Sequence, residues 1–281
     1  MSARPAVVVT GASSGIGAAA VVRLAAAGYA VFGSVRNAED AARLEAERGV
    51  RALRFDVTDA PSIALAARTI AESGHSLAAV VNNAGIAVAG PLEYLPLDDF
   101  RRQLEVNVVG SLAVTQAFLP LLRASRGRVV FVGSVSGRLT APFIAPYGTS
   151  KSALRALASA LRVELAPMGV RVVLLEPGSV RTPIWGKGQR SADALRSTLS
   201  AGALAEYGAT VDALIRLAAI EERTGLPAVV VANAIVRAIA SPRPRPEQLI
   251  GLPARLGSLV ALLPHGLRDR AIVRAMRLPR R

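Results

Sequence analysis

A tyrosine and a lysine form the pair in this sequence best suited to move a proton. Residues 145–154 read APYGTSKSAL, and on a helix Tyr147 and Lys151 would share one face. A free tyrosine has a pKa of about 10 and is a poor base at neutral pH. Because a nearby ammonium group favours the phenolate, the spacing predicts a lowered pKa for Tyr147 and general acid–base catalysis by this side chain.

The lysine of that pair is unusual for this chain. Lysine and arginine together number 34, yet Lys151 and Lys187 are the only lysines. A guanidinium is a broad planar fork, whereas an ammonium is compact, so a lysine at 151 indicates a task that arginine geometry would compromise. Ser134 is suited to hydrogen-bond an oxygen that develops negative charge. Taken alone, it is equally explained as an ordinary serine at a strand end.

The composition excludes several other kinds of chemistry. Of the 281 residues, 52% are apolar and 19% charged, which suits one large α/β domain with a buried core. The chain has no cysteine, and His75 and His265 lie far apart, so we expect no disulfide, thiol nucleophile or metal site. Ser13, Ser14 and Ser134 lack a histidine suitably placed for a serine hydrolase.

The net charge of +14 raises the question of an anionic partner. The arginines are spread along the chain and only 4% of residues are aromatic, so we expect no nucleic-acid partner. We find no secretory signal, and the apolar run LGSLVALLP is far shorter than the roughly twenty residues of a membrane span. A cytoplasmic location is the resulting expectation.

Short runs rich in valine, isoleucine and leucine alternate with helical patterns along the chain. Most of these runs are continuously apolar, as expected for a parallel sheet covered by helices on both faces. The pattern predicts a single-domain α/β fold of the Rossmann type, with a doubly wound sheet. The predicted strands are 6–10, 30–35, 51–57, 77–82, 127–134, 169–177 and 248–251. The predicted helices are 15–28, 38–48, 60–74, 97–124, 147–167 and 227–240.

The alternation stops after Pro183. Residues 183–226 contain no convincing strand, and we expect a substrate loop or lid with short helices there. We assign residues 1–253 to the catalytic domain and 254–281 to a basic extension of one or two amphipathic helices. Three roles stay open for this extension: covering the substrate cavity, forming a subunit contact, or making a weak contact with anionic lipid.

The stretch TGASSGIG (10–17) joins the first strand to the first helix. Glycine permits the tight turn and a close approach of the backbone to a pyrophosphate, while the helix N-terminus offers free N–H groups. The stretch therefore predicts a dinucleotide site, which takes in Gly11, Ser13, Ser14, Gly15, Ile16 and Gly17.

Further motifs follow in a fixed order. They are NNAG (82–85), NVVG (107–110), Ser134, the Tyr147–Lys151 pair and PG (177–178). Over residues 5–250 the sequence thus resembles the short-chain dehydrogenase/reductase family, and VANAIVRAIASPRPRP resembles its hydroxysteroid and retinol dehydrogenase members. The resemblance implies an oxidoreductase that works as a homodimer or homotetramer.

The resemblance also implies roles for individual residues. Tyr147 would pass a proton to a carbonyl oxygen as hydride arrives, and Ser134 would bond the same oxygen. Lys151 would hold the nicotinamide ribose, and Asn107 would hold a water that joins Lys151 to a proton relay. Taken alone, Asn107 is equally explained as an ordinary residue of a helix turn. Thr182 and the Val180 backbone would meet the carboxamide. The other implied cofactor contacts come from Val57, Asn83, Ala84, Gly85, Tyr147, Pro177 and Gly178.

The end of the second strand predicts which cofactor is bound. An acid there would accept hydrogen bonds from the ribose of NAD, but GSVRN (33–37) has none. Arg36 could bind a 2′-phosphate through its guanidinium, with help from Ser34, so NADP(H) is favoured over NAD(H). Alternatively, Arg36 is a solvated residue at a helix start. Asp56 matches the family residue that meets the adenine, but it could also cap a helix.

Apolar residues near the predicted reacting groups suggest a small hydrophobic substrate. We expect a ketone or secondary alcohol of steroid, retinoid or lipid type, although core packing is the alternative explanation. The predicted substrate contacts are Ser134, Ser136, Leu139, Phe143, Tyr147, Ile184 and Trp185. Two other functions stay open: an NADP-binding regulator without turnover, and a peripheral membrane protein that uses the basic extension.

Overall fold

A computed structural model describes residues 4–46, 49–182 and 201–276, together with Ile184 and Ser197. The central sheet has seven strands, which are β1 (Ala6–Val9), β2 (Ala30–Val35), β3 (Val50–Arg54), β4 (Leu77–Asn82), β5 (Arg128–Val132), β6 (Arg171–Pro177) and β9 (Glu247–Ile250). They are all parallel and lie in the order β3-β2-β1-β4-β5-β6-β9. This confirms the predicted α/β fold. Two short strands, β7 (Val180–Arg181) and β8 (Leu226–Pro227), form a separate parallel pair.

Helices cover both faces of the large sheet. They are α1 (Gly15–Ala26), α2 (Ala38–Glu45), α3 (Ala60–Glu72), α4 (Leu97–Leu104), α5 (Gly110–Ser125), α6 (Ala145–Leu165), α7 (Ala201–Thr224), α8 (Ala228–Ala240), α9 (Leu252–Val260) and α10 (His265–Ala275). Helices α1, α2 and α8 pack on one face, and α3, α5 and α6 pack on the other.

The two-sided cover explains why the strands read as continuous apolar runs. In β1, Val7 and Val9 belong to the core on one face, and Ala6 and Val8 belong to the core on the other. All four residues are fully buried. The strand order reverses direction between β1 and β4, and ligands of such sheets bind at the carboxyl ends beside this point.

Two departures from the expected helices matter for the site. The predicted helix 97–124 is interrupted by a π-helical turn, Glu105–Val109. A single 24-residue helix, α7, occupies 201–224 where only short helices were expected. Its high alanine content favours helix, although Gly202 and Gly208 have low helix propensity.

The C-terminal extension forms two helices, α9 and α10, over its described part. Ala254 is fully buried, so the start of the extension packs against the domain. Elsewhere, the helical stretch Leu97–Ser125 is long and apolar enough to cross a membrane by length and composition. It places Val114, Phe118 and Leu122 in the core, and core helices pass the same test.

Candidate active site

One large pocket opens at the carboxyl edge of β1, β4, β5 and β6, with a volume of about 1070 Å³. It brings together most of the residues that the motifs predicted. Those lining it are Gly11, Ser13, Ser14, Ile16, Ser34, Arg36, Asp56, Val57, Asn83, Ala84, Gly85, Ser134, Ser136, Leu139, Tyr147, Lys151, Pro177, Gly178, Val180, Thr182 and Ile184. Gly15, Gly17 and Asn107 are not among the lining residues.

The glycine turn after β1 presses closely on the chain that follows β4. Gly11 has φ of +65°, and a Cβ there would lie 2.9 Å from the Ala84 Cα atom. Its amide donates a hydrogen bond of 3.0 Å to the Ser34 hydroxyl, and Ser34 is buried. Ser34 therefore braces the turn, and its own O–H can still serve as a donor to a ligand.

Thr10 and Asn83 lock these two segments together. The Thr10 hydroxyl accepts hydrogen bonds from the amides of Asn83 and Ala84, both at 2.9 Å. The Asn83 side-chain amide donates to the carbonyl oxygens of Thr10 and Gly11 at 2.9 and 3.2 Å. Sequence reasoning missed Thr10, because only the fold shows that its hydroxyl faces the loop after β4.

The end of β2 presents a cation at the rim of the pocket. The side chain of Arg36 is 71% exposed, and its Nη1 lies 3.8 Å from the Asp56 carboxylate. Asp56 accepts hydrogen bonds from the backbone and the hydroxyl of Thr58 at 3.0 and 2.8 Å. A pair this exposed is weak, so Arg36 is free to turn towards an anionic ligand.

Tyr147 and Lys151 lie on the first two turns of α6, facing the pocket. Both are buried, with 8% and 6% of their surfaces exposed. The Lys151 Nζ donates a hydrogen bond of 2.8 Å to the Val132 carbonyl and lies 5.5 Å from the Tyr147 ring centroid. Burial lowers the pKa of Lys151 to about 8. The ammonium therefore titrates near physiological pH.

Ser134 begins a short 3₁₀ turn, Val135–Gly137, that leads away from β5. Its hydroxyl accepts a hydrogen bond of 3.1 Å from the Ser136 amide, which orients the oxygen. Gly137 allows this turn to touch α6 directly, since a Cβ there would lie 2.8 Å from the Lys151 carbonyl. The turn and α6 therefore fix Ser134 relative to Lys151.

Asn107 occupies the centre of the π-helical turn and is fully buried. Its side-chain amide donates to the Ile86 carbonyl at 3.1 Å and to the Ser150 hydroxyl at 3.0 Å, and its Oδ1 accepts from the Ile86 amide at 2.9 Å. Ser150 precedes Lys151, so Asn107 links the loop after β4 to α6. π turns are frequent at functional sites.

The expected apolar wall is present in part. Leu139 and Ile184 line the pocket, together with Met276 at the end of α10, which no sequence signal predicted. Phe143 is not among the described lining residues. Its ring instead lies edge-on to Tyr207 of α7 at 5.9 Å. Trp185 lies outside the described residues.

Two hydrogen-bonded Tyr–Glu pairs join helix α7 to the segment that follows β4. The Tyr207 hydroxyl donates to Glu93 at 2.8 Å, and the Tyr94 hydroxyl donates to Glu206 at 3.4 Å. The two rings are 5.8 Å apart and edge-on. The hydrogen bond to Glu93 raises the pKa of Tyr207. These contacts attach α7 to the loop after β4.

Comparison with known proteins agrees with this geometry. A family model described as short chain dehydrogenase matches residues 5–193. An NADPH-dependent 3-dehydrocapnine reductase from Ornithobacterium rhinotracheale is 38% identical over 252 residues, which are 86% of this chain and 87% of that protein. Human retinol dehydrogenase 5 is 40% identical over 186 residues, but these cover 63% of this chain and only 57% of that protein.

Solved structures show the same architecture. A short-chain dehydrogenase from Streptomyces avermitilis superposes with a TM-score of 0.77 at 28% identity, over 99% of this chain and 97% of the other. The similarity thus includes α9 and α10 as well as the sheet and its helices.

Proposed function

Because the chain belongs to the short-chain dehydrogenase family, we propose that it transfers hydride between NADP(H) and a hydrophobic ketone or secondary alcohol. The observation that carries this proposal is the buried Lys151 ammonium beside Tyr147, in the pocket that the glycine turn also lines. The NADPH-dependent relative supports the choice of cofactor.

The pocket residues suit this cofactor. The turn at Gly11 and the N–H groups at the start of α1 fit a pyrophosphate, and the exposed guanidinium of Arg36 fits a 2′-phosphate. Reduced NADP would supply the hydride. Lys151 would hold the nicotinamide ribose, and Pro177 and Thr182 would border the nicotinamide.

The reaction then depends on two hydroxyl groups of the chain. Tyr147 gives its proton to the carbonyl oxygen, and the Lys151 ammonium stabilises the phenolate that remains. Ser134 donates a hydrogen bond to the same oxygen while its negative charge develops. In the oxidative direction the proton returns to Tyr147.

The substrate class is tested by a carbonyl panel with NADPH consumption as the readout. We expect kcat/KM for ketones with long apolar substituents to exceed that for small polar carbonyls and sugars by at least about 100-fold, since each buried CH₂ contributes about 0.8 kcal/mol. A preference for the polar compounds would overturn the substrate class. Tight NADPH binding without turnover of any carbonyl would instead favour a regulatory protein.

Arg36→Ala tests cofactor selection. Loss of a charge-assisted contact to the 2′-phosphate should weaken NADPH binding by about 10- to 100-fold and leave NADH binding nearly unchanged. Titration of nucleotide fluorescence would measure both affinities. Arg68→Ala, which removes an exposed arginine on α3, is the control. An equal loss for both nucleotides would show that Arg36 does not read the phosphate.

We extend the proposal to the partners and location of the protein. It would work as a homodimer or homotetramer in the cytoplasm, with a surface contact to anionic lipid through α9.

The lipid contact is supported by an apolar stripe along α9. The stripe consists of Leu252, Leu256 and Leu259, which are 66%, 53% and 62% exposed. Between residues 252 and 276 the sequence has four arginines and one acid. Such a face complements an anionic bilayer.

Leu256→Glu combined with Leu259→Glu tests this contact. Because both side chains are exposed, the fold should persist, while sedimentation with phosphatidylglycerol-containing vesicles should fall by about tenfold or more. Leu65→Glu, at a 56% exposed position on α3, is the control. Equal sedimentation of all three proteins would overturn the contact. A change in oligomer size with no change in sedimentation would assign the stripe to a subunit interface.

A further inference from the structure

A buried carboxylate lies immediately before the Pro177–Gly178 turn of the pocket. Glu176, near the end of β6, is only 1% exposed. Burying a carboxylate without a countercharge is costly, so Glu176 needs a cationic partner. The Nε and Nη2 atoms of Arg138 donate to its Oε2 at 2.8 and 2.5 Å. This hydrogen bonding raises the pKa of Arg138 above its ordinary value.

The pair belongs to a larger ionic cluster. The same Arg138 Nη2 donates to Glu247 of β9 at 2.6 Å. Arg155 adds its Nε at 3.8 Å from Glu176 and its Nη2 at 3.5 Å from Glu247. Arg162 lies at the outer edge, 4.0 Å from Glu247. The Arg138–Glu176 pair is largely removed from water, where charge pairs bind more strongly than at the surface, whereas Arg155 is 41% exposed.

Three members of this cluster are each joined by a short piece of chain to one wall of the active site. Arg138 directly follows the 3₁₀ turn that begins at Ser134. Arg155 lies one helical turn beyond Lys151 on α6. Glu176 directly precedes the Pro177–Gly178 turn. The cluster therefore ties together the Ser134 turn, the lysine-bearing helix and the turn expected to border the nicotinamide.

We propose that Glu176 is a positioning residue: its carboxylate, held by Arg138, fixes the Ser134 turn relative to the Pro177–Gly178 turn. The proposal rests on the proposed function, because Ser134 must bond the reacting oxygen for its position to matter. Displacements of about 1 Å in such groups can cost about 100-fold in rate. Neither Glu176 nor Arg138 lines the pocket, so both would act through Ser134.

A double-mutant cycle between Glu176→Gln and Ser134→Ala tests this coupling. Glu176→Gln keeps the shape of the side chain and should lower kcat by about 10- to 100-fold, with the NADPH Kd changed by less than about threefold. In the Ser134→Ala background the same change should cost less than about threefold, because the group it positions is gone. Arg162→Gln, at the outer edge of the cluster, is the matched control and should leave kcat unchanged.

The outcomes separate failure of this inference from failure of the proposed function. An equal loss from Glu176→Gln with and without Ser134 would overturn the positioning role while leaving the reductase intact. Absence of turnover in the unaltered protein would refute the proposed function itself. If Glu176→Gln does not fold, Arg138→Lys keeps the charge and removes the two-pronged contact. The loss of kcat caused by Arg138→Lys should likewise be much smaller in the Ser134→Ala background. An equal loss of kcat in both backgrounds would overturn the inference.

Discussion

Replacement of Tyr147 by phenylalanine is expected to lower kcat by about 10²- to 10⁴-fold and to leave NADPH binding within about threefold of the unaltered protein. The change removes only the hydroxyl from a ring that is 8% exposed, so packing should be conserved. Ser134 would still donate a hydrogen bond to the carbonyl oxygen, but the oxygen would lose the phenol from which it takes its proton. Steady-state NADPH consumption would give kcat, and a nucleotide titration would give the affinity for NADPH.

Tyr29→Phe provides a matched control for that substitution. Tyr29 packs against the core beside the start of β2, and it does not belong to the pocket lining. Its loss of a hydroxyl should leave kcat unaltered. Turnover by the Tyr147 variant equal to that of the control would contradict the assignment of the general acid.

Because of Lys151, we expect kcat/KM to decrease as the pH rises above about 8, which gives the pH profile a falling limb. Burial lowers its pKa from 10.5 to about 8, so the ammonium that supports the phenolate is present below pH 8 and lost above it. We expect a loss of about tenfold per pH unit on the alkaline side, as for a single required proton. A pH profile with a saturating nucleotide and a hydrophobic ketone would locate the limb.

The free energy of unfolding should change with pH in the opposite direction to kcat/KM. Between pH 8 and 10.5 the unfolded chain keeps the proton that the folded Lys151 has released. Because the unfolded state then binds more protons, this group makes the free energy of unfolding rise with pH over that range. Thermal melts across the same range would thus distinguish loss of the charge from loss of the fold.

Lys151→Arg tests the chemical reason for the lysine. A guanidinium remains charged throughout this pH range, so the limb near pH 8 should disappear. The rate below pH 8 should nevertheless fall by about 10- to 100-fold, because the larger group cannot both meet the Val132 carbonyl and face Tyr147. A variant that retains the limb at pH 8 would assign that titration to another group.

The elements that carry these residues could be predicted because each depends on a local pattern. The apolar runs located all seven strands of the large sheet to within three residues at either end. The spacing of Tyr147 and Lys151 placed them on one helix. The glycines of TGASSGIG marked the turn, and the close approach of Gly11 to Ala84 provides the physical reason for them.

Features that depend on contacts distant in sequence could not be predicted. Met276 reaches the pocket only because α10 folds back over the domain. Asn107 lies in a π turn, and its side-chain amide donates hydrogen bonds to Ile86 and Ser150, which belong to two other segments of the chain. In the sequence, Glu176 is a single polar residue within a predicted strand. Its contact with Arg138 becomes visible only in the folded structure.

The most direct test of hydride transfer with Tyr147 as proton donor is a deuterium-transfer measurement. The unaltered protein and Tyr147→Phe would each be given a hydrophobic ketone and reduced NADP with deuterium at the transferring position, and the alcohol would be analysed by mass spectrometry. We predict one deuterium on the carbinol carbon for each cofactor oxidised by the unaltered protein, and almost no labelled alcohol from the variant in the same time. Cofactor oxidation without label in the alcohol, or equal labelling by both proteins, would contradict it.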